Sequence, residues 1–150
     1  MNYFKTTCLI ASLLAVGTHA FAAGETEAYK LAVVDANQFV PKNGVEDKRA
    51  QKAITNARNL CIVDSDATIS SQAVKVSNIL NKDGIFSRPI DVLEGLQAVL
   101  AGSKNKVDCT KVMAQYASVR QSVSYTHSEA IASMRVLANV ANQLAAKANK

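Results

Sequence analysis

Tryptophan is absent from this 150-residue chain, and phenylalanine and tyrosine number four each. With so few rings there is little to stack nucleobases, and the basic residues are scattered and interrupted by acidic ones rather than forming a stripe. Proline occurs only at positions 41 and 89, and glycine only six times. So few helix breakers in an alanine-rich chain favour helix over strand. The glycines are too sparse for phosphate cradles: neither GxGxxG nor GxxxxGK[ST] occurs. No CxxC pair is present, which excludes a thioredoxin-type redox motif. Histidine is limited to His19 and His127. Repeats, low-complexity tracts and interdomain linkers are also missing.

What is there begins with a leader. Lys5 precedes an apolar run, Leu9–Val16, which Gly17 breaks, and Ala20-Phe21-Ala22 supplies small residues at the −3 and −1 positions of a cleavage site. The run is shorter than the roughly 20 residues a spanning helix needs. We expect residues 1–22 to be a cleaved signal peptide and residues 23–150 to be a single domain. Cys8 enters at the start of the apolar run rather than after it, so the leader lacks a lipobox. The compact leader with a single lysine suits a periplasmic destination, with the extracellular medium as the alternative. No second apolar run of membrane length follows, so no stable membrane insertion is expected after cleavage. Without Lys5 the balance is 16 basic against 12 acidic residues, a mild solubilising excess rather than a nucleic-acid footprint.

Helical periodicity dominates the remainder. Residues 26–39 place Tyr29, Ala32, Val33, Ala36 and Phe39 near one face, although an extended segment is the alternative there. The VPKNG stretch (40–44) reads as a turn. Asn43 with Glu46 resembles a capping box before a stripe of Ala50, Ala53, Ile54, Ala57, Leu60 and Cys61. Asp64, Ser65, Asp66 and Thr68 are cap candidates for a third helix that Gly84 closes. Pro89 fits the first turn of a fourth helix, with Ser87 as its expected cap. A fifth helix carries Cys109, Met113 and Tyr116. Thr126 with Glu129 forms a second capping box before a long amphipathic helix, unless residues 107–147 form one kinked helix. The expected fold class is all-α: a compact bundle of five or six short helices with one disulfide.

Two cysteines persist after cleavage, Cys61 and Cys109, each on an apolar stripe near a helix end. One intramolecular disulfide in an oxidising compartment explains both, with two free thiols or an intermolecular bridge as the alternatives. The Asp64-x-Asp66-x-Thr68 spacing opens like a calcium loop. The positions that demand glycine and a bidentate glutamate hold Ile69 and Lys75 instead, so helix capping is the better reading. His127 has neither a set of metal co-ligands nor a nucleophile elbow beside it. No metal and no cofactor is expected.

The layout is similar to small exported helical proteins of bacteria, namely secretion pilotins and type VI immunity proteins, and the order of Cys61, the Asp64/Asp66 loop, two helices and Cys109 at the start of a later helix resembles the pilotins of the secretin-binding kind. The likeness covers about half the chain. It departs from the pilotins in lacking a lipobox and a Gly-Trp pair, where this chain reads Asp83-Gly84-Ile85-Phe86.

The function expected from these features is binding of another protein in the periplasm or envelope, as an immunity, inhibitor or secretion-accessory factor. The first candidate surface is residues 116–129, with Tyr116, Arg120, Tyr125 and His127; the second is the 84–89 loop, with Phe86 and Arg88. An exposed Phe86 or Tyr125 would serve as a hot spot, whereas either ring packed inside would be structural. The competing classes are a small all-α enzyme and a stress chaperone. A deep polar cavity lined by Arg and Glu would mark the enzyme.

Overall fold

The most apolar of the described helices is α4, Pro89–Leu100, and it buries Ile90, Val92, Leu93, Gly95, Leu96 and Leu100. A helix hydrophobic on nearly all sides must be surrounded. In the computed structural model α4 packs against the other five helices: α1 (Glu27–Ala36), α2 (Val45–Leu60), α3 (Asp66–Lys82), α5 (Cys109–Val123) and α6 (His127–Ala148). The structure describes residues 25–62, 65–103, 105–123 and 125–148, and the side chains of 123 and 141–148 are not described. The expected signal peptide, its cleavage site and Asp64 lie outside the described residues. The expected all-α bundle is the observed fold, with six helices and, among the described residues, no strand.

Alanine sets the spacing of the helices. Ala32, Ala50, Ala73 and Ala130 are fully buried, beside Ile54, Ile69, Leu80 and Leu93. Small residues at these positions let the backbones approach closely, and the large ones fill the layers between them. Gly95 takes the same principle to its limit. A Cβ there would lie 3.1 Å from His127 Cε1, so α4 and α6 cross with little room to give.

Several helix ends follow the sequence signals. Pro89 is in the first turn of α4. Gly84, at φ +75°, takes the left-handed position after α3, which a side chain would strain. Thr126 and Glu129 close a reciprocal capping box: Glu129 N–H donates to Thr126 Oγ1 (3.3 Å) and Thr126 N–H to Glu129 Oε2 (2.8 Å). The box starts α6 as a separate helix, which settles the choice against one kinked helix. Ser65 caps α3, accepting from Thr68 N–H at 3.2 Å, while Asp66 lies in the first turn and pairs with Arg58.

Three local expectations are corrected. α1 stops at Ala36, because Asn37 turns left-handed at φ 51°. Val40 then fills the core place and holds the Tyr29 hydroxyl through its carbonyl (3.0 Å), while Phe39 is left 79 % exposed. At α2 the capping residue is Gly44, not Asn43. Asp47 rather than Glu46 reaches back, accepting from Asn43 N–H at 2.7 Å. Gly44 is required for fit, since a Cβ would stand 2.8 Å from Pro41 O. Ser87 does not cap α4. Asp35, from the last turn of α1, accepts Ile90 N–H at 2.7 Å across a sequence distance no local pattern encodes.

The disulfide is the other long-range tie. Cys61 and Cys109, both fully buried, are joined with a Cα–Cα distance of 5.3 Å. Backbone bonds run alongside: Ile62 N–H to Val107 O (2.8 Å) and Val107 N–H to Leu60 O (2.9 Å). The end of α2 is thereby tied to the start of α5. Closing a loop of 48 residues corresponds to about 4 kcal/mol in the chain-entropy model. Replacing both cysteines by serine should lower the unfolding free energy by about that amount, measured by denaturant titration. A loss under about 1 kcal/mol would mean that the backbone bonds alone hold this corner.

Candidate functional site

Residues 84–88 cross from α3 to α4 without regular structure, yet side chains from two helices fix their backbone. On α3, Ser77 Oγ donates to Ser87 O (2.7 Å), and the Asn81 amide both donates to Ser87 O (2.9 Å) and accepts Ser87 N–H (2.9 Å). On α5, Arg120 Nη2 donates to Phe86 O at 3.3 Å. Ile85 N–H returns to Leu80 O. The loop so held presents the Phe86 ring to solvent, 78 % exposed. Phe86 stands at the edge of a cleft of about 670 Å³ whose walls include Asp35, Arg49, Asn81, Ser87 and Arg88.

The charged wall of this cleft is internally matched. Arg49 donates in a fork to Glu94 (2.8 and 2.7 Å) and also to Asp91 (2.8 Å). Arg88 donates twice to Asp91 (3.2 and 3.1 Å) and stands 3.7 Å from Asp35. Forked contacts of this kind are the strong ones among ion pairs. The Glu94 hydrogen bond holds the Arg49 pKa well above its ordinary value, and the Asp91 hydrogen bond raises that of Arg88. Burial pushes the Asp91 carboxyl upward, but the two arginines outweigh it and the net position is below normal. Asp35 goes the other way, raised by burial. Both guanidinium groups are therefore committed to the protein's own carboxylates. A cavity that bound an anionic substrate through them would first have to break these pairs.

Behind the loop lies a buried relay. Arg120 is 6 % exposed, and no carboxylate pairs with it among the described residues. Its Nη1 donates to the Tyr116 hydroxyl at 2.8 Å, and that oxygen lies 2.7 Å from His127 Nδ1. A guanidinium can only donate. The tyrosine oxygen accepts from it and shares a second hydrogen bond with Nδ1, whose direction follows the tautomer of His127. The pKa of His127 is lowered, first by burial and also by Arg120, against the opposing pull of Asp91 and Glu94. Burial raises the Tyr116 hydroxyl, so it stays protonated.

The structure joins Phe86, Arg120, Tyr116 and His127 into one hydrogen-bonded line and sets Arg88 in the adjoining cleft. It separates Tyr125, which is 37 % exposed beside α6 in a different groove. Tyr116 and Arg120 are inside, at 3 % and 6 % exposure, and brace the loop from behind, whereas the Phe86 ring stands in solvent. Sequence reading missed Asp35, Ser77 and Asn81, and did not join Arg49 to Asp91 and Glu94. Asp35 did leave a trace: an acid in the last turn of a helix opposes the dipole and calls for a partner outside its own helix. Arg120, named as a surface candidate, is instead buried, four residues after Tyr116 on the inner stripe of α5.

The relay makes stability depend on pH. A histidine whose folded-state pKa is depressed binds its proton more readily when unfolded. Stability is then full above about pH 6.5 and declines as pH falls from there through the folded pKa. Denaturant melts across this window should show that decline, and His127→Gln should flatten it. An NMR titration placing the His127 midpoint at or above about 6.5 would contradict the relay.

Comparison of the chain with protein-family models, with curated proteins and with solved structures finds no match.

Proposed function

We propose that this chain is an exported, protein-binding factor that engages another protein of the periplasm or envelope through Phe86 and the cleft beside it. Immunity, inhibition and secretion assistance are the roles this reading covers. The observation that carries it is the exposed Phe86 ring on a loop whose backbone is pinned by Ser77, Asn81 and Arg120. An exposed ring costs solubility, and burying it against a partner recovers that free energy. A loop already held in one conformation loses little further entropy on binding, so more of the contact energy is available as affinity. The leader-like N-terminus, read from the sequence, supports export.

The catalytic alternative has the polar cleft in its favour. The commitment of Arg49 and Arg88 to Asp91, Glu94 and Asp35 counts against it. A binding protein uses such pairs differently: they stiffen the wall next to the contact ring.

The test is capture from a periplasmic extract on immobilised protein, followed by affinity measurement on whatever is retained. Phe86→Ala should weaken the complex at least about tenfold, the size expected of a hot-spot aromatic, with the melting temperature unchanged because the ring touches solvent. Failure to retain any reproducible partner would overturn the proposal. So would a partner that binds Phe86→Ala and the parent equally well.

A further inference from the structure

Three arginines and three carboxylates are gathered around the start of α4. Arg49 and Arg88 pair with Asp35, Asp91 and Glu94. Arg120 stands behind the loop with a hydroxyl and a backbone carbonyl as its partners. This set is balanced while His127 is neutral, and a charged imidazole adds one cation to it. Burial holds the His127 pKa down, so at neutral pH the ring carries no charge.

The ring is placed to act on the loop. It is partly exposed, so protons reach it from solvent. Nδ1 lies 2.7 Å from the Tyr116 hydroxyl, and the same oxygen takes Arg120 Nη1 at 2.8 Å. A protonated imidazole donates from both nitrogens. Two cations would then face each other across one oxygen, in a partly buried site where charge is poorly screened. The ring has little room to retreat, because Cε1 lies against α4 at Gly95, where a Cβ would come within 3.1 Å. Arg120 is held less firmly. Its Nε has no partner among the described residues, and Nη2 makes the longest bond of the line, 3.3 Å to Phe86 O. The guanidinium is rigid and planar, so Nη1 cannot move away from the ring without carrying Nη2 with it.

The other charges near His127 are already engaged. On α4, Asp91 and Glu94 attract a charged ring, but Arg49 and Arg88 hold them. On α6, Glu129 is turned to Thr126 in the capping box. Across the cleft, Glu46 stands exposed on the rim. Asp35, which burial holds above the usual carboxylate range, loses its charge ahead of an ordinary aspartate in acid. That loss enlarges the positive excess.

We propose that His127 is an acid sensor for the Phe86 loop: protonation of the ring drives Arg120 off the Phe86 carbonyl and frees Phe86 from the conformation it holds at neutral pH. Ser87 stays pinned, because Ser77 and Asn81 hold it without a titratable group. The switch therefore acts on Phe86 rather than on the whole segment. It regulates the surface assigned to partner binding above and rests on that reading for its use. Its measurement needs no partner, so either can fail without the other.

An NMR titration of the free protein from about pH 7.5 to about pH 5 reads the switch. The Phe86 carbonyl ¹³C shift follows the Arg120 hydrogen bond, and ¹⁵N relaxation follows the freedom of the Phe86 amide. Both should change with the midpoint of the His127 ring signals. The Phe86 order parameter should fall from about 0.85 toward about 0.6, while Ser87 and the amides of α3 hold still. In His127→Gln, which carries no titratable group at this position, the Phe86 signals should be flat across the range. A Phe86 carbonyl that ignores pH in the parent would overturn the proposal. So would a change whose midpoint is not that of His127, or one that persists in His127→Gln.

Discussion

The anchoring of residues 84–90 is the constraint on which the rest of this structure depends. Four helices converge there. α1 supplies Asp35 to the first turn of α4, α3 supplies Ser77 and Asn81, α5 supplies Arg120, and α4 begins at Pro89. If this segment moved, the start of the central helix would lose its cap and the Phe86 ring its fixed position. Arg120 would also keep its charge in the interior with fewer partners, a costly arrangement once one partner of a buried cation is removed.

That cost explains the polar interior behind the loop. A cation in a packed core is costly unless its donors are used; here Nη1 and Nη2 are used on a tyrosine hydroxyl and a backbone carbonyl rather than on a carboxylate, and Nε is buried without a partner among the described residues. The hydroxyl in turn serves His127, which sits against Gly95 where α4 and α6 cross. One buried charge thus links the outer loop to the packing of three helices. The ion pairs of Arg49 and Arg88 do similar work on the cleft side, holding α2 to α4 and the approach to α4 in place.

What could be read from the sequence were the features with a local cause. Gly84 and Pro89 punctuate their helices through backbone sterics. The Thr126–Glu129 box is written in four consecutive residues. Cys61 and Cys109 each show their burial through the helical repeat around them. The features that escaped are those whose cause lies far along the chain. Asp35 caps a helix 55 residues away, and Asn81 folds back on a loop whose path is set only once α4 is seated. Tyr116 lies on the apolar repeat of α5 and is inside as that repeat implies, whereas the exposure of Phe86 is decided by tertiary packing rather than residue type.

The central claim is that the Phe86 loop is rigid before any partner arrives, and ¹⁵N relaxation of the free protein tests it most directly. The amides of Phe86 and Ser87 should show order parameters near those of the flanking helices, about 0.85. Values below about 0.6 would mean a flexible loop and would contradict the account of a pre-formed contact surface.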